Sequence, residues 1–163
     1  PAAVLWQVCL QTEPCWLPET WKLGYGVFVL AAFSALRLAK FNIDETQTVE
    51  FCGLPTPAGS LLCASLGMLW QQGAVALSSD GVLLIAVLTS LLLVSPIRMF
   101  ALKFHGFGWR GNEVRYLFLL ASIVLIIILR TYAIPVIIVL YIVVSAVRWL
   151  CMRSGNPDKA PKA

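Results

Sequence analysis

The 163-residue sequence is 60% hydrophobic and 12% charged, with a mean hydropathy of +0.85. Soluble domains carry about 25% charged residues, and a water-soluble fold of this size could not hide so much apolar surface. The net charge of +4 does not indicate a nucleic-acid partner, because the placement of the basic residues follows membrane topology, as described below. Composition therefore predicts an all-α membrane protein, folded as a polytopic helical bundle.

The chain begins with a largely apolar stretch of ten residues, PAAVLWQVCL, which is too short to span a bilayer, since about 20 residues are needed. They lack the charged region of a signal peptide, and we expect them to be the end of a truncated helix. Hydropathy then predicts about five transmembrane helices. Their bounds are 21–40, 56–77, 82–100, 114–129 and 132–150, with a turn at 78–81 and a hinge at Arg130 and Thr131. We expect one transmembrane helical domain over 1–150 and a disordered cytoplasmic tail over 151–163.

The basic residues are distributed unevenly between the two sides of this arrangement. If the turn at 78–81 is external, ten of the twelve basic residues lie in internal segments, and Lys22 and Arg130 lie outside. Cytoplasmic loops carry an excess of Lys and Arg. The sequence therefore predicts a multi-pass protein of the cell inner membrane, with the loops 42–54 and 98–112 in the cytoplasm.

Small residues recur at every fourth position in two of the predicted spans. They are Ala31, Ala35 and Ala39 in the first span and Gly59, Cys63 and Gly67 in the second. Such stripes let helices approach closely in a membrane, so we expect both spans to pack in the interior. Coincidence in a sequence rich in Ala, Gly and Leu is the alternative. The run LFLLASIVLIIIL lacks such a stripe and is predicted to face lipid.

Residues able to carry catalysis are scarce. All eight carboxylates fall in predicted loops, helix ends or the tail, so no intramembrane proton relay or carboxylate metal cage is expected. The five cysteines form no C-x-x-C pair and have no histidine partner, which argues against zinc. His105 stands by itself in a basic loop and is predicted to be a surface residue. We therefore predict neither catalytic residues nor metal ligands in this sequence.

A candidate binding motif lies at the cytoplasmic end of the first span. Arg37, Lys40 and Phe41 share one helix face, and Asn42 follows as a polar terminus. A guanidinium beside a second cation suits a phosphate or carboxylate group. The alternative is that both cations extend to lipid head groups while their stems cover apolar surface.

The segments LRLAKFN at 36–42 and GLPTPA at 53–58 resemble the paired motif of the CDP-diacylglycerol–serine O-phosphatidyltransferases, or phosphatidylserine synthases. These belong to the CDP-alcohol phosphotransferase family. SPIRMFALKF at 95–104 resembles a later cytoplasmic segment of that family. Order and spacing agree along most of the chain, and the last hairpin is the least diagnostic part.

The resemblance implies transfer of a phosphatidyl group from CDP-diacylglycerol to L-serine, with release of CMP. In the family, a D-x-x-D-G-x-x-A-R-x8-G-x3-D-x3-D motif binds two divalent metals, Mg or Mn, and supplies the base. That motif is absent here, so we expect a C-terminal part of such an enzyme, inactive by itself. The resemblance also implies substrate contacts. Arg37 and Lys40 would hold the phosphate or the serine carboxylate, Asn42 and Thr56 would assist, and Arg98 would close the pocket.

Other functions remain open at this level. Another branch of the family, acting on glycerol phosphate, inositol phosphate or an archaeal ether lipid, would share the architecture. A non-enzymatic membrane scaffold subunit is a different class, and a transporter is disfavoured because no charge lies at mid-membrane. Membrane lipids and a second copy of the chain are the further candidate partners.

Overall fold

A computed structural model of the chain describes residues 1–13, 23–43, 50–100 and 112–155. Most of these residues are helical, and the prediction of an all-α fold is confirmed. The α-helices are α1 (Ala2–Leu10), α2 (Val29–Ile43), α3 (Thr56–Gln71), α4 (Ser79–Val94), α5 (Glu113–Leu129) and α6 (Ala133–Gly155). Short 3-10 helices at Leu23–Phe28 and Arg130–Tyr132 precede α2 and α6, and the strands are β1 (Glu50–Cys52) and β2 (Arg98–Phe100).

Two helical stretches are long and apolar enough to cross a membrane. The first is Gly24–Ile43, with 20 residues. The second is Glu113–Cys151, with 39 residues, and it comprises α5, the 3-10 helix at Arg130–Tyr132 and most of α6. Ser79–Val94 is a shorter apolar helix. Helix α6 extends to Gly155, so the first residues of the predicted tail are helical. Four ranges lie outside the described residues: 14–22, which includes Lys22; 44–49; 101–111, which includes His105; and 156–163.

The chain divides into two compact units, Pro1–Glu45 with Gly53–Ser95, and Thr46–Cys52 with Pro96–Ala163. In the first unit, α4 contacts α1, α2 and α3 and also the 3-10 helix before α2. Its core is apolar. The fully buried side chains include Leu5, Val27, Leu30, Leu54, Leu69, Val82 and Leu93. Helix α4 is therefore the central element around which this unit packs.

The two ends of α4 are fixed by different polar contacts. At its start, the Ser79 hydroxyl donates to the backbone carbonyls of Thr12 (2.6 Å) and Cys9 (3.2 Å) at the end of α1. At its other end, the carbonyl of Leu92 accepts from the N–H of Leu54 at 2.9 Å. A helix of 16 residues separates these contacts by about 24 Å.

In the second unit, the two helices of the predicted hairpin pack against each other. The rings of Phe118 and Tyr141 meet edge to face with centroids 5.9 Å apart. These residues lie at similar distances before and after the hinge, as expected for antiparallel helices. Arg130, with φ of 45°, turns the chain, so the predicted hairpin and its hinge are confirmed. Strands β1 and β2 pair antiparallel, with Phe51 opposite Met99, and β2 contacts α6.

The prediction for the second span is wrong at its end. Helix α3 stops at Gln71 and not at residue 77. Gly73 adopts φ of 67°, its N–H donates to the Trp70 carbonyl, and the N–H of Ala74 donates to the Leu69 carbonyl, both at 2.9 Å. This pattern is a Schellman motif, which ends a helix at a residue with positive φ.

The prediction for the third span is wrong at both ends. The expected turn at 78–81 is the cap and first turn of α4, where the Ser78 side chain accepts from the N–H of Gly81 at 3.3 Å. The helix then ends at Val94 and does not reach residue 100. Ser95 is extended, with ψ of 149°, because a following proline disfavours the helical conformation. Residues 98–100 form β2 instead.

The small-residue stripes behave differently from each other. Gly59, Cys63 and Gly67 are buried, as predicted, whereas Ala31, Ala35 and Ala39 are exposed. The prediction for the alanine stripe is wrong because α2 packs through the opposite side, where Leu30 and Arg37 are buried. The apolar run of α5 is exposed as expected, with Ile127 and Ile128 each 71% exposed.

Candidate anion-binding site

The candidate site forms where α2 ends and α3 begins, within the first unit. On α2, the buried side chains are Leu30 and Arg37, seven residues apart and therefore on one face of the helix. Helix α2 packs against α4. Because of this packing, the Arg37 side chain is only 9% exposed although it carries a full charge. A buried guanidinium requires hydrogen-bond partners or an anion around it.

The segment Gly53–Thr56 is positioned by the end of α4. The N–H of Leu54 donates to the Leu92 carbonyl at 2.9 Å, and the Leu54 side chain is fully buried. Gly53 has φ of 76° and lies so close to the Leu93 carbonyl that a Cβ atom there would overlap the carbonyl oxygen. These contacts fix the point at which α3 starts, and hence the position of Thr56.

Arg37 and Thr56 are in direct contact. The Nη1 of Arg37 donates to the Oγ1 of Thr56 at 3.0 Å. A threonine hydroxyl can accept and donate at the same time, so the proton of Thr56 remains able to donate to another oxygen. The contact joins the two sequence segments from which the binding prediction was made.

The backbone adds positive potential at the same place. Thr56 is the first residue of α3, and no side chain caps the start of this 16-residue helix. The start of a helix carries partial positive charge and unpaired N–H groups, which favour anions. Pro57 removes one of these donors, but the N–H of Ala58 is retained. A guanidinium, a hydroxyl and a helix start therefore converge on one small region, an arrangement suited to phosphate or carboxylate.

The other predicted site residues are placed differently. Lys40 and Asn42 follow Arg37 on α2 and are exposed, whereas Arg37 is buried, and their role in binding stays a prediction. Three residues of helix rotate Lys40 about 60° away from Arg37, which takes it off the packed face. Arg98 belongs to the second unit, where it is exposed in β2 opposite Cys52.

Sequence reasoning missed two residues that shape the site. The sequence pattern assigns no role to Gly53 and Leu54 beyond their place in GLPTPA, although they hold the start of α3 against α4. The signal was a glycine at the end of a polar segment, directly before Leu-Pro, which is a typical turn sequence.

Metal-ligating side chains do not cluster in the part of the chain that the structure describes. No group of three or more His, Cys, Asp or Glu residues there is placed to hold a metal ion. Arg37 and Thr56 supply hydrogen-bond donors and not metal ligands. The described residues therefore do not fit the divalent metal that the resemblance implies.

No protein-family model matches the chain, and a search of curated proteins returned no match.

Proposed function

We propose that this chain forms the anion-binding part of a membrane phosphatidyltransferase of the phosphatidylserine synthase type. Such an enzyme transfers a phosphatidyl group from CDP-diacylglycerol to L-serine and releases CMP. The observation that carries the proposal is the hydrogen bond between the buried Arg37 and Thr56. These residues come from the two segments, LRLAKFN and GLPTPA, that resemble the paired motif of that family.

In this proposal Arg37 binds a non-bridging oxygen of the phosphate that is transferred. Its planar guanidinium can present two parallel donors to a phosphate, which a lysine ammonium cannot. Thr56 holds the guanidinium in place and donates its own proton to a neighbouring oxygen. Burial strengthens both contacts because the local dielectric constant is lower than in water. The two residues orient the phosphate and balance the negative charge that develops as the bond to CMP breaks.

Lys40 and Asn42 have outer roles in this proposal. Both are exposed near the end of α2. The Lys40 ammonium attracts the negatively charged head group before it reaches Arg37, and the Asn42 amide can donate a hydrogen bond to it. The family's aspartate motif is not among the 163 residues. We therefore assign binding to this chain and expect no transfer by the 163 residues alone.

The proposal includes a multi-pass arrangement in the inner membrane, with the site on the cytoplasmic side. Pairing of β1 with β2 supports a common side for the segments around residues 50 and 98, both predicted to be cytoplasmic from charge. The contacts of Ser79 with the end of α1 support a common opposite side for residues 12 and 79. The polar contacts at the two ends of α4 are thus consistent with helices that cross the bilayer in alternating directions.

A chimeric protein tests the transfer reaction. The aspartate-bearing segment of a phosphatidylserine synthase is joined ahead of Pro1, and CMP release is measured in proteoliposomes that contain CDP-diacylglycerol. We expect CMP release that depends on L-serine, with a roughly ten- to hundred-fold loss in Arg37→Lys, the equivalent of about 1.5–3 kcal/mol for a charge-assisted hydrogen bond.

Two controls accompany this test, one for the specificity of the Arg37 effect and one for the identity of the acceptor. Arg148→Lys makes the same chemical change on α6, outside the first unit, and should leave the rate within about twofold, because it keeps the positive charge and Arg148 takes no part in the Arg37–Thr56 contact. Glycerol phosphate and inositol phosphate replace serine in parallel reactions. Release with one of these and not with serine would move the chain to another branch of the family. A folded chimera inactive with every acceptor would favour the scaffold subunit.

A further inference from the structure

A second polar cluster lies in the other unit, at the end of the α5–α6 hairpin remote from the Arg130 hinge. Arg115 is 8% exposed and Asn112 is 1% exposed. The Nη1 of Arg115 donates to the Oδ1 of Asn112 at 2.8 Å. This bond fixes the direction of the guanidinium within the first turn of α5. We call this region the open end of the hairpin.

Ser145 on α6 lies at the same level of the hairpin as Arg115. Phe118 and Tyr141 are in ring contact. Arg115 is three residues before Phe118, and Ser145 is four residues after Tyr141. In antiparallel helices with a rise of 1.5 Å per residue, these steps place the two side chains within about 2 Å of one level. Spacings of three and four residues also keep each on the face that carries the ring contact.

The hydroxyl of Ser145 is buried and has no hydrogen-bond partner in the part of the chain that the structure describes. The residue is 1% exposed. Buried hydroxyl groups are normally bonded, and serines in helices often bond to the carbonyl four residues back, as Ser122 does with Phe118 at 2.8 Å. Ser145 is thus unlike Ser122 and has its donor capacity unused.

The start of α5 adds backbone donors to this region. Asn112 precedes the helix, but its side chain makes no capping bond and bonds to Arg115 instead. The first turn of a 17-residue helix therefore favours an anion. Glu113 is the acidic residue of this turn, and it is exposed, so its carboxylate does not occupy the buried position.

We propose that the open end of the hairpin binds a phosphate group through Arg115 and Ser145. The guanidinium binds one or two phosphate oxygens and the serine hydroxyl donates to another. Because the stretch Glu113–Cys151 is apolar enough to cross a membrane, this end would lie at the level of lipid phosphates. The group belongs either to an anionic lipid or to free phosphate. The proposal does not depend on the transfer reaction or on Arg37.

Native mass spectrometry of the 163-residue chain tests the proposal. The chain is released from nanodiscs of phosphatidylcholine mixed with phosphatidylglycerol, and the phosphatidylglycerol that stays bound is measured. Inorganic phosphate is titrated separately in detergent, with the protein's melting temperature as the readout. We expect a phosphate-dependent signal in at least one arm, reduced roughly tenfold in affinity by Arg115→Lys and by Ser145→Ala. The responding arm identifies the lipid or the free ion as the source.

Matched substitutions distinguish phosphate binding at a specific site from non-specific electrostatic attraction of phosphate to the protein. Ser122→Ala makes the same change in the same hairpin where the hydroxyl is already bonded, and Arg115→Gln is compared with Arg130→Gln at the exposed hinge. Both controls should bind as the wild type does. The proposal is overturned if neither arm responds, if Ser145→Ala binds normally, or if Arg130→Gln loses as much affinity as Arg115→Gln.

Discussion

Replacing Gly53 with alanine should destabilise the chain more than the same change at Gly73. Both glycines have positive φ, 76° and 67°, and for alanine this conformation costs about 1–2 kcal/mol. A Cβ at Gly73 meets nothing within 4 Å, whereas a Cβ at Gly53 overlaps the backbone carbonyl of Leu93. A backbone carbonyl cannot rotate aside as a side chain can, so the backbone must shift. This shift costs about 1–3 kcal/mol more.

The melting temperature of the purified protein in detergent measures this difference. For a chain of this length, 1 kcal/mol corresponds to about 2–4 °C. We therefore expect Gly73→Ala to melt about 4 °C below wild type and Gly53→Ala about 10 °C below. Equal shifts for the two variants would refute the reasoning, because they would show that the contact between Gly53 and the end of α4 contributes nothing.

Three further predictions follow from the described contacts. Ser79→Ala removes the bonds between α4 and the end of α1 and should cost about 1–3 kcal/mol of unfolding free energy; an unchanged denaturant midpoint would contradict it. Gly67→Leu should destabilise strongly, since a Cβ there already comes within 2.5 Å of a methyl group on α1, while Ala35→Leu on the exposed stripe should melt as wild type does. The third prediction concerns topology and uses single-cysteine variants at two exposed positions, Ala76→Cys and Arg98→Cys. An impermeant thiol reagent applied to intact cells should label Ala76→Cys and not Arg98→Cys. The reverse pattern would invert the proposed topology.

The helices of the hairpin could be predicted because their signal is local. Two long apolar runs interrupted by Arg130 and Thr131 require a turn, and the structure has one. The strands β1 and β2 could not be predicted in this way. Each has three residues, too few to show a periodic pattern, and the paired residues are 46 to 50 positions apart in the chain. The helical prediction through residue 100 failed because Pro96 disfavours the helical conformation of Ser95, where α4 ends.

Which face of a helix is buried depends on its neighbours more than on its own spacing. The alanines of α2 and the small residues of α3 have the same period, yet the alanines are exposed and the α3 stripe is buried. The presence of Leu30 and Arg37 on one face was the competing pattern. Similarly, the segments LRLAKFN and GLPTPA identified Arg37 and Thr56 as candidates. That the two side chains meet follows from packing on α4, which the sequence does not show.

The central claim is that Arg37 and Thr56 bind the phosphate of a nucleotide-activated lipid. Equilibrium binding of CDP-diacylglycerol to the 163-residue chain in phosphatidylcholine nanodiscs tests it most directly. The account predicts that Arg37→Lys weakens this binding roughly ten- to hundred-fold. Thr56→Val should weaken the binding by a smaller factor, and Arg148→Lys should bind with the affinity of the wild type. Equal affinity of the wild-type and Arg37→Lys chains, with both correctly folded, would contradict the account.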